Sequence, residues 1–257
     1  MAMGPPAAAY DRAITIFSPE GKLYQVMYAS EAVKQGWTSL GLRTKDFIIL
    51  AAEKRKVVTL LDLSSMEKLY RIDDHIGVTF AGIGGDGRIL IDYARLVATR
   101  HRLLYGEPAS VEFVVKAVAD VKQMYTQHGG VRPFGVSLII GGVDDDGTTR
   151  LFRTEPGGQY FSYYAIAIGM GGDNVNTFLE KHYKYEMSFD DAVLLVLKAL
   201  VNARVATSEE KREDIVNQLG EIIELGYIMA DEKVFRKLTP DQIREYGEKY
   251  REELLKS

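Results

Sequence analysis

The sequence predicts an α/β (α+β) chain folded as a four-layer α-β-β-α sandwich. Two patterns carry this prediction. Short runs rich in β-branched and other apolar residues come in two blocks, and each block is followed by a pair of long helical periods. Two sheets built from such blocks bury their inner faces on each other and their outer faces under helices. The third observation is continuity. The 257 residues can bury a large core, and no internal repeat or low-complexity linker divides them.

The elements follow in order. Residues 1–9 are small apart from Met1 and Met3 and include Pro5 and Pro6. They offer nothing large to bury, which predicts a mobile or extended segment. Ser18-Pro19-Glu20-Gly21 predicts a reverse turn. From Leu23 a helical stripe of Leu23, Val26, Met27 and Val33 begins, and Gly36 is its expected end. Strands are predicted at Thr38–Arg43, Asp46–Glu53, Glu67–Ile72 and Ile76–Ala81. Helices follow at Arg88–Leu104 and Val111–Gln127. Strands resume at Phe134–Gly141, Thr148–Arg153 and Tyr160–Ile168, punctuated by Asp145-Asp146-Gly147 and Pro156-Gly157-Gly158. Two more helices are expected at Asp173–Tyr183 and Phe189–Ala206, then a strand at Glu221–Met229. A charged helix closes the chain from Pro240 to Leu255, with Thr239 as N-cap and proline in its first turn.

Composition excludes several classes of function. Apolar residues are 46% and charged residues 26%, ordinary for a globular protein. A net charge of -4 argues against a general grip on nucleic acid. Without cysteine there are no disulfides, thiolate nucleophiles or cysteine-held metals. The longest apolar run, Ala192 to Val201, is broken by Lys198 and too short to span a bilayer. The N-terminus has no charged n-region or apolar core of a secretory signal, so a cytoplasmic protein is expected.

Several motifs invite a catalytic or ligand-binding reading. Gly82-Ile83-Gly84-Gly85-Asp86-Gly87 satisfies G-x-G-x-x-G after a strand and before a helix. A dinucleotide fold then needs a second parallel strand ending in an acid, and here a second helix follows. The expected role is a glycine-rich turn with Asp86 capping the helix, and Gly169-Met170-Gly171-Gly172 is read the same way. His75, His101, His128 and His182 include no i, i+4 pair, so no metal is expected from them. Asp144-Asp145-Asp146 lacks the spacing of a calcium loop and reads as a solvated hairpin turn. There is no G-x-S-x-G elbow. The remaining nucleophile is Thr38, if processing freed its amine to serve as base.

Residues 10–33, YDRAITIFSPEGKLYQVMYASEAV, resemble the N-terminal signature of 20S proteasome α subunits. Further matches run along the chain at family order: Glu67–Asp73 (EKLYRID), Gly129–Leu138 (GGVRPFGVSL), and Ala167-Ile168-Gly169 followed by Phe178–Lys181. The resemblance implies the sandwich of the N-terminal-nucleophile hydrolase type. It divides the chain into a gate segment and pore-side helix at 1–37 and a sandwich domain with its C-terminal helix at 38–257. It implies a non-catalytic subunit that needs no cofactor and closes a ring with other α subunits. That ring stacks on catalytic β subunits, and an activator or unfoldase ATPase docks on it through C-terminal tails. No nucleic acid or membrane partner is implied.

The same resemblance assigns residues. Tyr10, Asp11, Arg12, Pro19 and Tyr28 correspond to the gate. Lys68, Gly36 and Ile83 correspond to the pocket between neighbouring subunits that receives activator tails, and an ammonium suits a terminal carboxylate. Arg132 is expected to order the turn before a buried strand, as an inter-subunit or structural residue. Met27, Ser30 and Trp37 depart from the family pattern, where glutamate, a larger residue and a small hydroxyl residue are common. Two alternatives remain: a self-processing hydrolase with Thr38 as its N-terminal nucleophile, and a ring scaffold with no protease partner.

Overall fold

The computed structural model describes residues 15–256 apart from 57 and 59. Helix α1 (Tyr24–Gln35) is followed by strands β1 (Ser39–Arg43), β2 (Phe47–Glu53), β3 (Leu69–Asp73) and β4 (Ile76–Gly82). Helices α2 (Gly84–Tyr105) and α3 (Val111–Met124) come next, then β5 (Val136–Val143), β6 (Thr149–Thr154), β7 (Tyr160–Ser162) and β8 (Ala165–Ile168). The last part holds α4 (Gly172–His182), α5 (Phe189–Thr207), α6 (Arg212–Asn217), α7 (Leu219–Ile222), β9 (Ile223–Met229), β10 (Phe235–Lys237), α8 (Pro240–Lys249) and α9 (Arg251–Leu255).

The strands form two five-stranded antiparallel sheets, ordered β10-β9-β2-β1-β8 and β3-β4-β5-β6-β7. Alternation sorts their side chains into separate cores. Leu42, Ile49 and Leu225 of the first sheet pack under Val193, Leu197 and Leu200 of α5. Val78, Leu138 and Ile140 of the second pack under Leu90 and Ala94 of α2 and Val114 and Val118 of α3. Between the sheets lie Ile48, Leu50, Ile139, Leu151 and Ile166. The four expected layers are therefore present. Helix α1 closes one end of the sandwich over β4 and β5, and Val33 enters the inter-sheet core.

Local boundaries depart from expectation for tertiary reasons. Tyr160–Ile168 is not one strand. Tyr163 donates to Leu151 O (2.9 Å) and Arg43 donates to Tyr164 O (2.8 Å), so the chain leaves one sheet and enters the other between these tyrosines. Helix α2 begins at Gly84 rather than Arg88, because Ile83 N is held by Gly135 O at 2.9 Å and Gly87 packs beneath the Phe80 ring. Asp86 does not cap it: Ile83 is the N-cap, and the Asp86 carboxylate serves Arg132 and Gly135 N instead. The closing helix breaks at Tyr250, though Thr239 and Gln242 form the full capping box. The strand expected from Glu221 starts at Ile223, after the short helix α7. Strand β10 has no sequence signal of its own. Its Phe235 ring fills the space left by Gly77 and Gly226, where an added Cβ would come within 2.6 and 2.7 Å.

Strand β8 is an edge, and its exposed backbone is blunted by a side chain. Asn176 of α4 accepts from Ala167 N (2.7 Å) and donates to Ala167 O (3.1 Å), imitating one residue of a further strand. Asn176→Leu leaves both groups without partners, and unfolding by urea should show a loss of about 2 kcal/mol. An unchanged midpoint would mean that water replaces the amide at no cost.

Candidate functional site

The turn before α1 forms as the sequence indicates. Gly21 N donates to Ser18 O (2.8 Å), Pro19 occupies its second position, and Gly21 takes the left-handed φ of 75°. Tyr28 is half exposed on α1 and stacks on Tyr24, with ring centroids 6.4 Å apart. Tyr10, Asp11 and Arg12 lie outside the described residues, as do residues 1–9, so the gate assignment meets the structure only at Pro19 and Tyr28.

Helix α1 ends at Gly36, but not through a left-handed cap, since φ and ψ there are -71° and 151°. Glycine is required by proximity: a Cβ at Gly36 would stand 2.1 Å from Gly82 N. On the other side Gly36 O accepts from Met170 N at 2.6 Å. Beside Gly36 lies a cavity of about 570 Å³ lined by Gly36, Trp37, Lys68, Tyr70, Phe80 and Arg88, among others. Gly36 and Lys68 thus share one cavity. Ile83 lies between the lining residues Gly82 and Gly84 but turns its side chain onto Gly135.

Lys68 is 5% exposed, and Nζ donates to Trp37 O at 2.6 Å. The rings of Trp37 and Phe80 lie 6.0 and 5.8 Å from Nζ, within the range of a cation–π contact. Burial pushes the Lys68 ammonium down to about 7, opposed by the charges of Glu53 and Glu224 and assisted by Arg55. Glu224 also accepts from the Lys68 and Leu69 amides at 2.9 and 3.0 Å, which fixes the backbone that carries the lysine.

Behind this cavity is an ion network with no local sequence signature. Glu53 has a side chain 1% exposed and accepts from Arg55 Nε at 2.7 Å and Arg204 Nη1 at 3.0 Å. Arg204 also pairs with Glu210 at 2.7 Å, and Arg55 Nη1 donates to Thr207 O at 3.2 Å. The network joins β2 to α5 across residues far apart in sequence.

Thr38 is fully buried. Its Oγ1 donates to Met170 O, and its carbonyl accepts from Glu53 N at 2.9 Å. A hydroxyl so placed has no route to a substrate. Arg132 forms a two-pronged pair with Asp86 (2.6 and 2.8 Å) while Asp86 Oδ2 accepts from Gly135 N at 2.8 Å, so the turn into β5 is tied to the start of α2. Of the departures, Trp37 forms a wall of the Lys68 cavity. Met27 is exposed on another face, and Ser30 donates to Val26 O at 3.0 Å. Among the described residues no cluster of His, Asp and Glu could hold a metal ion, and no helix is long and apolar enough to cross a membrane.

A family model for the proteasome subunit matches residues 33–215, and a second, for the N-terminal signature of A-type proteasome subunits, matches residues 10–32. The chain is 58% identical to a proteasome alpha subunit of Aeropyrum pernix over 253 residues, 98% of each chain. It is 53% identical to one of Sulfolobus acidocaldarius over 242 residues, covering 94% of this chain and 97% of that protein. A third, of Saccharolobus islandicus, is 51% identical over 249 residues, covering 97% and 100%.

Proposed function

Because the chain belongs to the proteasome subunit family and carries its α-type N-terminal signature, we propose that it is a non-catalytic, gate-forming and activator-docking subunit of the α ring of a 20S core particle. It works in the cytoplasm, in a ring with other α subunits, and hydrolysis belongs to partner β subunits. The observation that supports docking most is the Lys68 ammonium at the base of an open cavity walled by aromatic rings. A C-terminal carboxylate entering there gains a charge-assisted bond in a low-dielectric site. Trp37, Tyr70 and Phe80, which line the cavity, receive its apolar side chains. Residues from the adjoining subunit complete the pocket. Assembly is favoured by Ile89, Leu96 and Leu103, an apolar stripe of α2 exposed by 49, 62 and 81%.

Burial of Thr38 favours a subunit without its own nucleophile over a self-processing hydrolase. The purified chain should keep its N-terminal segment by mass spectrometry and should not cleave peptides. Peptidase activity of the chain alone, abolished by Thr38→Ala, would overturn the reading. Co-purification with a β-type protease separates it from a scaffold without a protease partner.

The gate and the pocket have separate tests. Deleting residues 2–9 removes the proposed obstruction, so the particle assembled with β subunits should hydrolyse small peptides faster without an activator. Unchanged basal hydrolysis would remove the gate. Lys68→Ala should abolish most activator-stimulated degradation while ring assembly persists. The pH dependence has a definite sign. The ammonium exists below about pH 7 and is lost above it, so tail affinity should fall as pH rises through 7, by up to about tenfold per unit. An affinity flat across this range would show that the carboxylate is not held by Lys68.

A further inference from the structure

One side chain on the inner face of the helical layer is a lysine. Helix α3 turns Val111, Val115 and Val118 into the core at helical spacing, and the next position on that stripe is Lys122, 0% exposed. Its Nζ donates to Thr154 Oγ1 at 2.9 Å and reaches Thr154 O at 3.4 Å. Both acceptors are neutral. Among the described residues no carboxylate pairs with Lys122, and Glu155 is taken by Arg153 at 3.3 Å. A lone charge so placed is costly, and an amine escapes the cost by releasing its proton. The Thr154 hydroxyl suits both states, since it accepts from an ammonium and donates to the lone pair of a neutral amine. Burial pushes the Lys122 ammonium down to about 7, opposed by Glu155 and assisted by Arg153. Of the elements packed on α3, β5 carries no ionisable side chain, β7 brings Tyr160, and α2 turns Tyr93 and His101 toward that helix. Glu112, Lys116 and Asp120 of α3 itself are exposed.

Thr154 leads into the turn at residues 155–159, which Glu155 N closes on Gln159 O at 2.8 Å. The turn sits tightly on α3: φ at Gly158 is 85°, and a Cβ there would stand 2.4 Å from Gln123 Cβ. Its other side meets α1, where Gly157 lies against Val26. A cavity of about 300 Å³, lined by Phe17, Leu23, Val26 and Gly157, among others, leaves room beside it. We propose that Lys122 is a proton-operated latch: neutral, it keeps this turn seated between α3 and α1; charged, it drives the turn off α3 toward the cavity, so that water reaches Nζ. The sign follows from linkage. Once wet, the lysine ionises at its ordinary value, so the seated form is fully favoured above about pH 10.5. It loses about tenfold per unit as pH falls toward 7 and then levels off. The latch is separate from the Lys68 cavity and does not depend on the docking role given to Lys68.

The test is a pH titration of the full chain with labelled lysine Cε and valine methyl groups, beside Lys122→Met, which fills the same space without a charge. The Lys122 Cε signal, identified by its loss in the variant, should titrate near pH 7, and the Val26 methyls should move with the same midpoint. In Lys122→Met the Val26 titration should vanish. Urea unfolding supplies the second readout. The unfolding constant of wild type divided by that of Lys122→Met should fall about tenfold per unit between pH 7 and 10. Lys68 ionises in the same range but is present in both chains, so its contribution cancels in the ratio. A Cε midpoint near 10.5 in wild type overturns the latch whatever the variant does. So does a ratio that stays flat with pH, or a Val26 signal that moves identically in both chains.

Discussion

Glu53→Ala destabilises the folded chain by about 3–5 kcal/mol, the cost of leaving buried cations without their anion. Glu53 is the shared acceptor of Arg55 and Arg204, whose side chains are only 16 and 7% exposed. Arg204 keeps Glu210, but that carboxylate is 39% exposed and cannot replace a fully desolvated one. Because β2 and α5 are joined through this carboxylate, the loss loosens the first sheet from its helical layer. The urea midpoint should fall with an unchanged slope. Glu53→Gln, which keeps the shape and one acceptor, should cost less. A second readout follows from Lys68, whose charged form Glu53 supports. In the alanine variant the lysine is neutral over a wider pH range, so activator tails should bind more weakly at pH 7. A midpoint within error of wild type would mean that solvent reaches the two guanidinium groups.

Gly36→Ala should be comparably severe, about 3 kcal/mol or more, since the new methyl would overlap backbone rather than a movable side chain. The nearest atoms are Gly82 N at 2.1 Å and Gly82 Cα at 2.9 Å. Relief requires moving α1 away from the sandwich, which withdraws Val33 from between the sheets and breaks the bond from Met170 N to Gly36 O. Gly84→Ala is the control: nothing lies within 4 Å of its added Cβ and the position is helical, so it should gain about 0.5–1 kcal/mol. Equal melting temperatures for the two variants would show that α1 shifts freely on its platform.

Layer order, the two helical pairs and the turn at Ser18–Gly21 are legible because periodicity and turn chemistry are local. Tyr160–Ile168 is not, because alternation along a strand is the same whichever sheet receives it. The switch at Tyr163 and Tyr164 depends on partners in β6 and β1. Phe235 and β10 carry no local signal because the reason for that strand is two glycines far away in sequence. Asp86 resembles a cap from its place before a helix, whereas its carboxylate answers to Arg132 across 46 positions. The cavity pairing of Gly36 with Lys68 follows from family likeness, not from spacing. Composition and pattern do not reveal the meeting of Glu53, Arg55 and Arg204, because it joins the end of β2 to α5 across 151 positions of sequence.

The strand order has a consequence for how the chain is made. The sheet β3-β4-β5-β6-β7 and its two covering helices come from one uninterrupted stretch. The other sheet needs β1 and β2 from the beginning, β8 from the middle and β9 and β10 from near the end. On a ribosome the first of these can close while the rest of the polypeptide is still being synthesised. Its partner must wait, holding the apolar hairpin β1-β2 without a neighbour until the last strands emerge. That interval, set by loop closure over most of the chain, is where a nascent polypeptide is most exposed to misassociation with its own kind.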